Sequence, residues 1–356
     1  MKKRMSLLLT GALVLGLAAG SQTVPAAEGG STPETITVTS LNGNKEEVEV
    51  EIPYDPQRVA VLDFAVLDAL DNLGLGDRVV GTASTTLDYL MPYTEQEDIT
   101  LLGTIKEADL EAVMSCEPDV IFIGGRLSSY YDQLSEIAPV VFLSIDVTEE
   151  GVVAGTRRIA QTVASIFGVE DMVSEKMDGF DARVEALAAA AEGKTAVVGM
   201  CTSGSFNVLG DDGRCSIIGN EIGFNNLSNT VTSDESQSRG GGNGEGRGNG
   251  GGESKGNEAE GRSGGGTSTH GNEASFELLV SLAPEYIFVL DRDAAIATDG
   301  AQLAQEIMEN ELVMSTDAYK NGNIVYLEHP NAWYTAEGGI TALDYMLSDL
   351  EGALLD

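Results

Sequence analysis

The sequence predicts an α/β fold of two similar lobes joined by a helical connection. Three observations carry this. A helix–proline–strand unit occurs twice, at 109–126 and 275–292. Short β-branched and aromatic runs alternate with amphipathic stretches along the chain, the pattern of parallel strands covered by helices. Between the two copies, residues 147–191 read almost wholly as helix, without a Gly/Ser linker, which makes a stiff joint.

The repeat fixes the argument. The copies read DLEAVMSCEPDVIFIGGR and SFELLVSLAPEYIFVLDR. Glu111 and Glu277 each precede a proline by seven residues, Pro118 and Pro284. Each proline stops a helix and is followed by an acid and an apolar run, VIFI at 120–123 and YIFV at 286–289. Each copy ends in an arginine, Arg126 or Arg292. A side chain at the carboxyl end of a buried parallel strand stands where α/β sheets place their ligands.

Composition narrows the function. The chain has 356 residues, 20 basic and 57 acidic, for a formal charge of −37. Such a field repels nucleic acid and anionic lipid, so neither is an expected partner. Lys2, Lys3 and Arg4 before the apolar run 5–19 read as an export signal ending near residue 27. Residues 28–45 read as a flexible tether, 46–146 as the N-terminal lobe, 147–191 as the connecting helical region and 192–356 as the C-terminal lobe. Within the last, 236–266 holds 14 glycines in 31 residues and has little to bury, so it reads as a disordered surface insertion.

Taken in order, VEVEIP from residue 48 is extended and RVAVLD (58–63) is a buried strand. Residues 64–77 form an amphipathic helix and RVVGTA (78–83) the next strand. A loop at 84–104 brings Tyr89, Met91 and Tyr93 toward a strand end as candidate cleft residues. After the first repeat, 124–138 turns helical and PVVFLSID (139–146) is a strand. Two helices follow, through 147–168 and 170–191. KTAVVGM (194–200) opens the second lobe, and GDDGR sets Arg214 in a glycine-rich turn. NIVYLEHPNAWY (323–334) runs from strand into loop, and 338–355 closes the chain as a helix.

Arg126, Arg214 and Arg292 each sit at a strand end or glycine-rich turn. Converging guanidinium groups would hold a highly charged anion through fixed forks of donors; in so acidic a chain, surface ion pairing is the competing role. Two histidines are present, His270 in STHG and His329 in LEHPNAWY, the latter shortly before Trp333 and Tyr334. An imidazole with a phenolate suits ferric iron. Cys116 reads as core, and Cys201 and Cys215 are close enough in sequence to pair. No nucleophile elbow, phosphate-binding loop, dinucleotide fingerprint or zinc motif is present, so a binding protein is expected rather than an enzyme.

These stretches carry a resemblance. RVAVLDFAVLDALDNLG, the stretch 103–113, IGGRLSSYYDQLSEIAPVV, GDDGR, STHG before SFELL, VLDR and AYKNGNIVYLEHPNAWY match, in order and spacing, the bacterial binding proteins that feed iron–siderophore ABC transporters. The catecholate branch is the one resembled, from about Pro53 to Leu350. The resemblance implies two Rossmann-like lobes bridged by a long helix with the ligand between them. It implies that Arg126, Arg214 and Arg292 contact catecholate oxygens, and that His270 and Tyr334 complete the iron shell when a siderophore leaves two positions empty. It implies that Glu111 and Glu277 meet the membrane permease. No intrinsic cofactor is expected; ferric iron arrives within the siderophore, and the protein is expected as a monomer on the outer face of the cytoplasmic membrane or in the periplasm. Relatives are often anchored through a cysteine after an LAAG-like motif. Here Ser21 follows LAAG, which puts a lipid anchor in doubt. Haem, cobalamin and hydroxamate chelates are the alternative ligands. A secreted hydrolase and a surface interaction protein using the glycine-rich loop are the alternatives of other classes.

Overall fold

The computed structural model describes residues 34–230 and 276–355, with 272–273 described by backbone alone. The expected export signal, the insertion at 236–266 and His270 lie outside the described residues.

An antiparallel hairpin comes first, β1 (Thr35–Leu41) paired with β2 (Glu47–Pro53). β1 occupies residues expected to be tether. Its polar alternation still inserts Val38 and Ser40, and Ser40 Oγ accepts the Phe142 backbone N–H at 2.8 Å. Asn42 closes the turn, accepting from the N–H groups of Asn44 at 2.9 Å and Glu46 at 3.0 Å. The lobe continues through β3 (Val59–Leu62), α1 (Phe64–Asn72), β4 (Val79–Thr82), β5 (Thr100–Leu101), α2 (Leu110–Ser115), β6 (Val120–Ile123) and β7 (Val140–Phe142). The five strands β5-β4-β3-β6-β7 form one parallel sheet. Every residue of β3, β6 and β7 is buried, as the continuous apolar runs required.

The bridge starts with α3 (Val152–Phe167), which buries Val152, Ile159, Val163 and Ile166 along one face. Its two ends are held by different lobes. Glu221, from the C-terminal lobe, accepts from the N–H groups of Val152 at 3.2 Å and Val153 at 2.8 Å, filling the orphan donors of the first turn. At the far end the Asp55 N–H donates to the Ile166 carbonyl at 2.9 Å, and Gly168 stops the helix in the left-handed region. The segment expected as a second helix is two, α4 (Asp171–Met177) and α5 (Phe180–Ala191), broken where Gly179 turns to φ 93°.

The second lobe holds β8 (Thr195–Thr202), β9 (Ser205–Val208), β10 (Asn225–Asn226), β11 (Asn272–Glu273), α6 (Phe276–Leu282), β12 (Tyr286–Asp291), α7 (Arg292–Ala295) and β13 (Ile324–Tyr326). Its sheet runs β11-β9-β8-β12-β13, with β10 beside the start of β8. Strands β8, β12 and β13 are parallel, and β9 and β11 antiparallel to their neighbours. The expected loop after β13 contains a short helix, α8 (Pro330–Thr335), with proline at its permitted first position.

The last helix, α9 (Ile340–Leu354), departs from chain order. It was expected with the C-terminal lobe, but it packs on α1 of the N-terminal lobe and on α5. Buried Asp68 of α1 caps it, accepting from the N–H groups of Thr341 at 2.9 Å and Ala342 at 3.0 Å. Arg183 of α5 pairs with its Glu351 at 2.7 Å.

The two repeat copies fold alike. α2 and α6 each end on a left-handed residue, Glu117 at φ 43° and Ala283 at φ 46°. The acid after each proline then grips the start of the neighbouring strand. Asp119 accepts from the N–H groups of Gln57 and Arg58 at 2.8 and 2.9 Å, and Glu285 from that of Thr195 at 2.9 Å.

Candidate functional site

Arg126 is carried just past β6 by Gly124 and Gly125, in a 3-10 turn. Gly124 is required by close approach: a Cβ there would lie 2.0 Å from Asp63 Oδ2. Asp63 itself caps α1, accepting the Val66 N–H at 3.1 Å. Arg292 opens α7, whose cap Asp291 accepts from the Ala294 N–H at 2.8 Å. Arg214 lies in the turn before Ile217–Asn220.

All three arginines line one cleft of about 580 Å³ between the lobes, together with Lys45, Lys106 and Glu337. They meet on a single residue, Tyr334 of α8. Arg126 Nη2 and Arg214 Nη1 donate to its carbonyl at 2.7 and 2.8 Å. Arg292 Nε donates to its hydroxyl at 3.0 Å. The three guanidinium carbons stand 5.7, 4.1 and 5.6 Å from the ring centroid, within cation–π range. The tyrosine holds three like charges in place through its ring, carbonyl and hydroxyl. Arg292 is also paired with buried Asp293 at 3.2 Å.

Burial dominates the electrostatics of the site. Burial lowers the Arg126 pKa below the usual guanidinium value, and neighbouring Arg214 lowers it further. Burial raises Asp63 from the usual carboxyl value, against the opposing effects of the Val66 N–H and Arg126. Burial likewise pushes Glu337 up to about 7, despite Arg214 and Arg126. Glu337 Oε1 and Arg214 Nε are sealed from solvent without a hydrogen-bond partner among the described residues. Each such unpaired buried group costs the fold free energy.

The other candidates fall elsewhere. His329 Nδ1 sits 2.6 Å from Asp349 Oδ1 and its ring stacks on Tyr345. Asp349 also accepts from Trp333 Nε1 at 2.8 Å, so this histidine belongs to the packing under α9. Tyr89 and Tyr93 bond to Asp68 and Asp71 at 2.9 and 2.7 Å, and Met91 faces solvent; none of the three lines the cleft. Cys116, Cys201 and Cys215 are buried and unpaired. Glu111 and Glu277 are exposed on α2 and α6, outside the cleft. Sequence reasoning missed Lys45, Lys106, Asp63 and Glu337. Lys106 lies in the loop leading into the first repeat, which was a usable signal; Lys45 lay in the supposed tether.

A smaller chamber of about 260 Å³ shares Arg126, Lys106 and Tyr334 with the main cleft. At its lining the lobes are joined by Thr86 Oγ1 donating to the Ala295 carbonyl at 3.2 Å.

Comparison with known proteins agrees with this architecture. The chain is 27% identical over 342 residues to the petrobactin-binding protein YclQ of Bacillus subtilis, covering 95% of this chain and 94% of that protein. It is 24% identical over 300 residues to the ferric-anguibactin-binding protein FatB of Vibrio anguillarum, covering 83% of this chain and 81% of that protein. The crystal structure of VctP, a periplasmic catecholate-siderophore binding protein from Vibrio cholerae, superposes with a TM-score of 0.71 at 27% identity, over 89% of this chain and all of that one. The YclQ crystal structure gives a TM-score of 0.73 over 91% of this chain and all of that one. The periplasmic binding protein family profile (Peripla_BP_2) matches residues 59–241 and 255–330, and the chain belongs to that family.

Proposed function

We propose that this chain is an extracytoplasmic binding protein that captures ferric catecholate siderophores and delivers them to an ABC importer. One observation carries the reading: three guanidinium groups gathered on Tyr334 in a cleft between the lobes. A ferric catecholate carries net negative charge. In a partly dry cleft its oxygens supply the counter-charge that Arg126 and Arg214 lack, where ion pairing is stronger than in bulk water. Neutral hydroxamate complexes would bring no counter-charge to Arg126 and Arg214, which make no ion pair among the described residues, whereas Arg292 already pairs with Asp293. Relatives that bind petrobactin and ferric anguibactin support the reading.

The work is binding without chemistry. Tyr334, with His270 assigned by resemblance, completes the iron shell for tetradentate ligands; for hexadentate ligands both stand aside. The loaded protein docks on the permease through Glu111 and Glu277. The chain is exported, and its place of work is the outer face of the cytoplasmic membrane or the periplasm.

The test is a fluorescence titration of the purified mature protein with ferric bis- and tris-catecholates, a ferric hydroxamate and haem. Trp333 is the single tryptophan and adjoins Tyr334. Saturable submicromolar quenching by the catecholates is expected. Quenching by haem or hydroxamate alone would discard the arginine mechanism and keep the binding-protein fold.

A further inference from the structure

The repeat carries more than the glutamates. α2 and α6 bury equivalent positions, Val113 and Leu279, both with no exposure, so the two helices turn the same face outward. On that outward face, one turn after Glu111 and Glu277, stand Met114 and Val280. They are 61% and 40% exposed. The spacing of 166 residues that relates Glu111 to Glu277 and Arg126 to Arg292 also relates Met114 to Val280. Only nine large apolar side chains are exposed among the described residues, and two of them occupy this one repeated position. A single exposed apolar side chain needs no explanation. A matched pair, each beside an exposed carboxylate at the same helical offset, is a patch displayed twice.

We infer that Met114 and Val280 are the apolar anchors of a docking surface that appears once on each lobe, with Glu111 and Glu277 as its charged companions. A patch displayed twice fits a partner that is itself a pair of equivalent subunits, each offering one cation and one apolar socket. In a chain of charge −37, the carboxylates set approach and register, while burial of Met114 and Val280 supplies holding energy. The partner is the importer's permease pair, so the inference rests on the proposed transport function. It adds to the expected pairing of glutamates an apolar contact on each lobe, of equal rank on both.

The experiment measures docking of the ferric-catecholate-loaded protein on the permease dimer of its own organism in lipid nanodiscs. The variants are Met114→Gln, Val280→Gln, the double variant, and Leu303→Gln as an exposed control outside the repeat. Each single change is expected to weaken docking about three- to tenfold, and the double change at least tenfold. Ligand titrations should be unchanged in all, and Leu303→Gln should dock as wild type. A double variant that docks within twofold of wild type overturns the inference while the transport reading stands. Loss confined to one lobe overturns the paired surface. A wild-type chain that binds no ferric catecholate, or binds it and never docks, overturns the proposed function and this inference with it.

Discussion

Arg126 and Tyr334 lie 208 positions apart, and the guanidinium of the first donates to the carbonyl of the second at 2.7 Å. Arg214, from the other lobe, shares that carbonyl at 2.8 Å. Two cations of the proposed anion site are thus held in place on one backbone oxygen. In the proposed function a chelate would meet cations already oriented and lose little to side-chain ordering.

Replacing these arginines should show how the charge is divided. Arg126→Ala, Arg214→Ala and Arg292→Ala should each weaken ferric-catecholate binding roughly ten- to hundredfold, since each removes charge-assisted hydrogen bonds. Quenching titrations measure this directly. Full affinity in all three variants, for every catecholate tried, would remove the arginines from the site.

Tyr334→Phe keeps the ring and the carbonyl and deletes only the hydroxyl that faces Arg292. For hexadentate catecholates the affinity should change less than about threefold, while for tetradentate ones it should fall about tenfold with loss of the phenolate-to-iron absorption band. Visible spectra decide it, because a band that persists in the variant comes from another group.

Glu337 gives a pH signature in stability. Its folded pKa, about 7, lies above the usual 4.5, because burial disfavours the anion. The stability linked to its proton is therefore fully present below pH 4.5 and is lost as pH rises through 7. Glu337→Gln should match wild type near pH 4.5 and exceed it at pH 8 by at most roughly 3 kcal/mol. Denaturant unfolding at the two pH values checks this; an equal difference at both would show that Glu337 does not titrate there.

Gly124→Ala should damage fold and site together. The added methyl would sit 2.0 Å from Asp63 Oδ2, so either the cap of α1 or the Arg126 turn must shift. A cost of about 1–3 kcal/mol is expected, with a lower Tm and weaker ligand binding. An unchanged Tm would mean that the turn yields without strain.

The sequence was most legible where local chemistry and tertiary structure agree. The repeated proline, acid and apolar run predicted β6 and β12, because each feature acts within a few residues of the strand it starts. The arginines were legible as strand-end side chains, and the structure brings Arg126 and Arg292 to one cleft with Arg214. Lys45 was not legible, because β1 is polar on its outer face and owes its place to Ser40 bonding Phe142 across 102 positions. The docking of α9 on α1 was hidden for the same reason: Asp68 reads as one more acid in an acidic chain until its two backbone donors are seen. Tyr89 and Tyr93 misled because aromatic loop residues also serve as hydrogen-bonded packing.

The bridging helix has a consequence for traffic at the membrane. α3 is anchored at its first turn by Glu221 and at its last by Asp55, and α9 ties the tail of the chain back to the first lobe. A rod of 16 residues, roughly 24 Å long, therefore fixes the distance between lobes. Vacant and occupied proteins are therefore expected to offer an importer nearly the same outline. On the proposed transport function they would compete for the same seats, and the rate of uptake would depend on the fraction of the protein pool that carries cargo as well as on how tightly each molecule holds it.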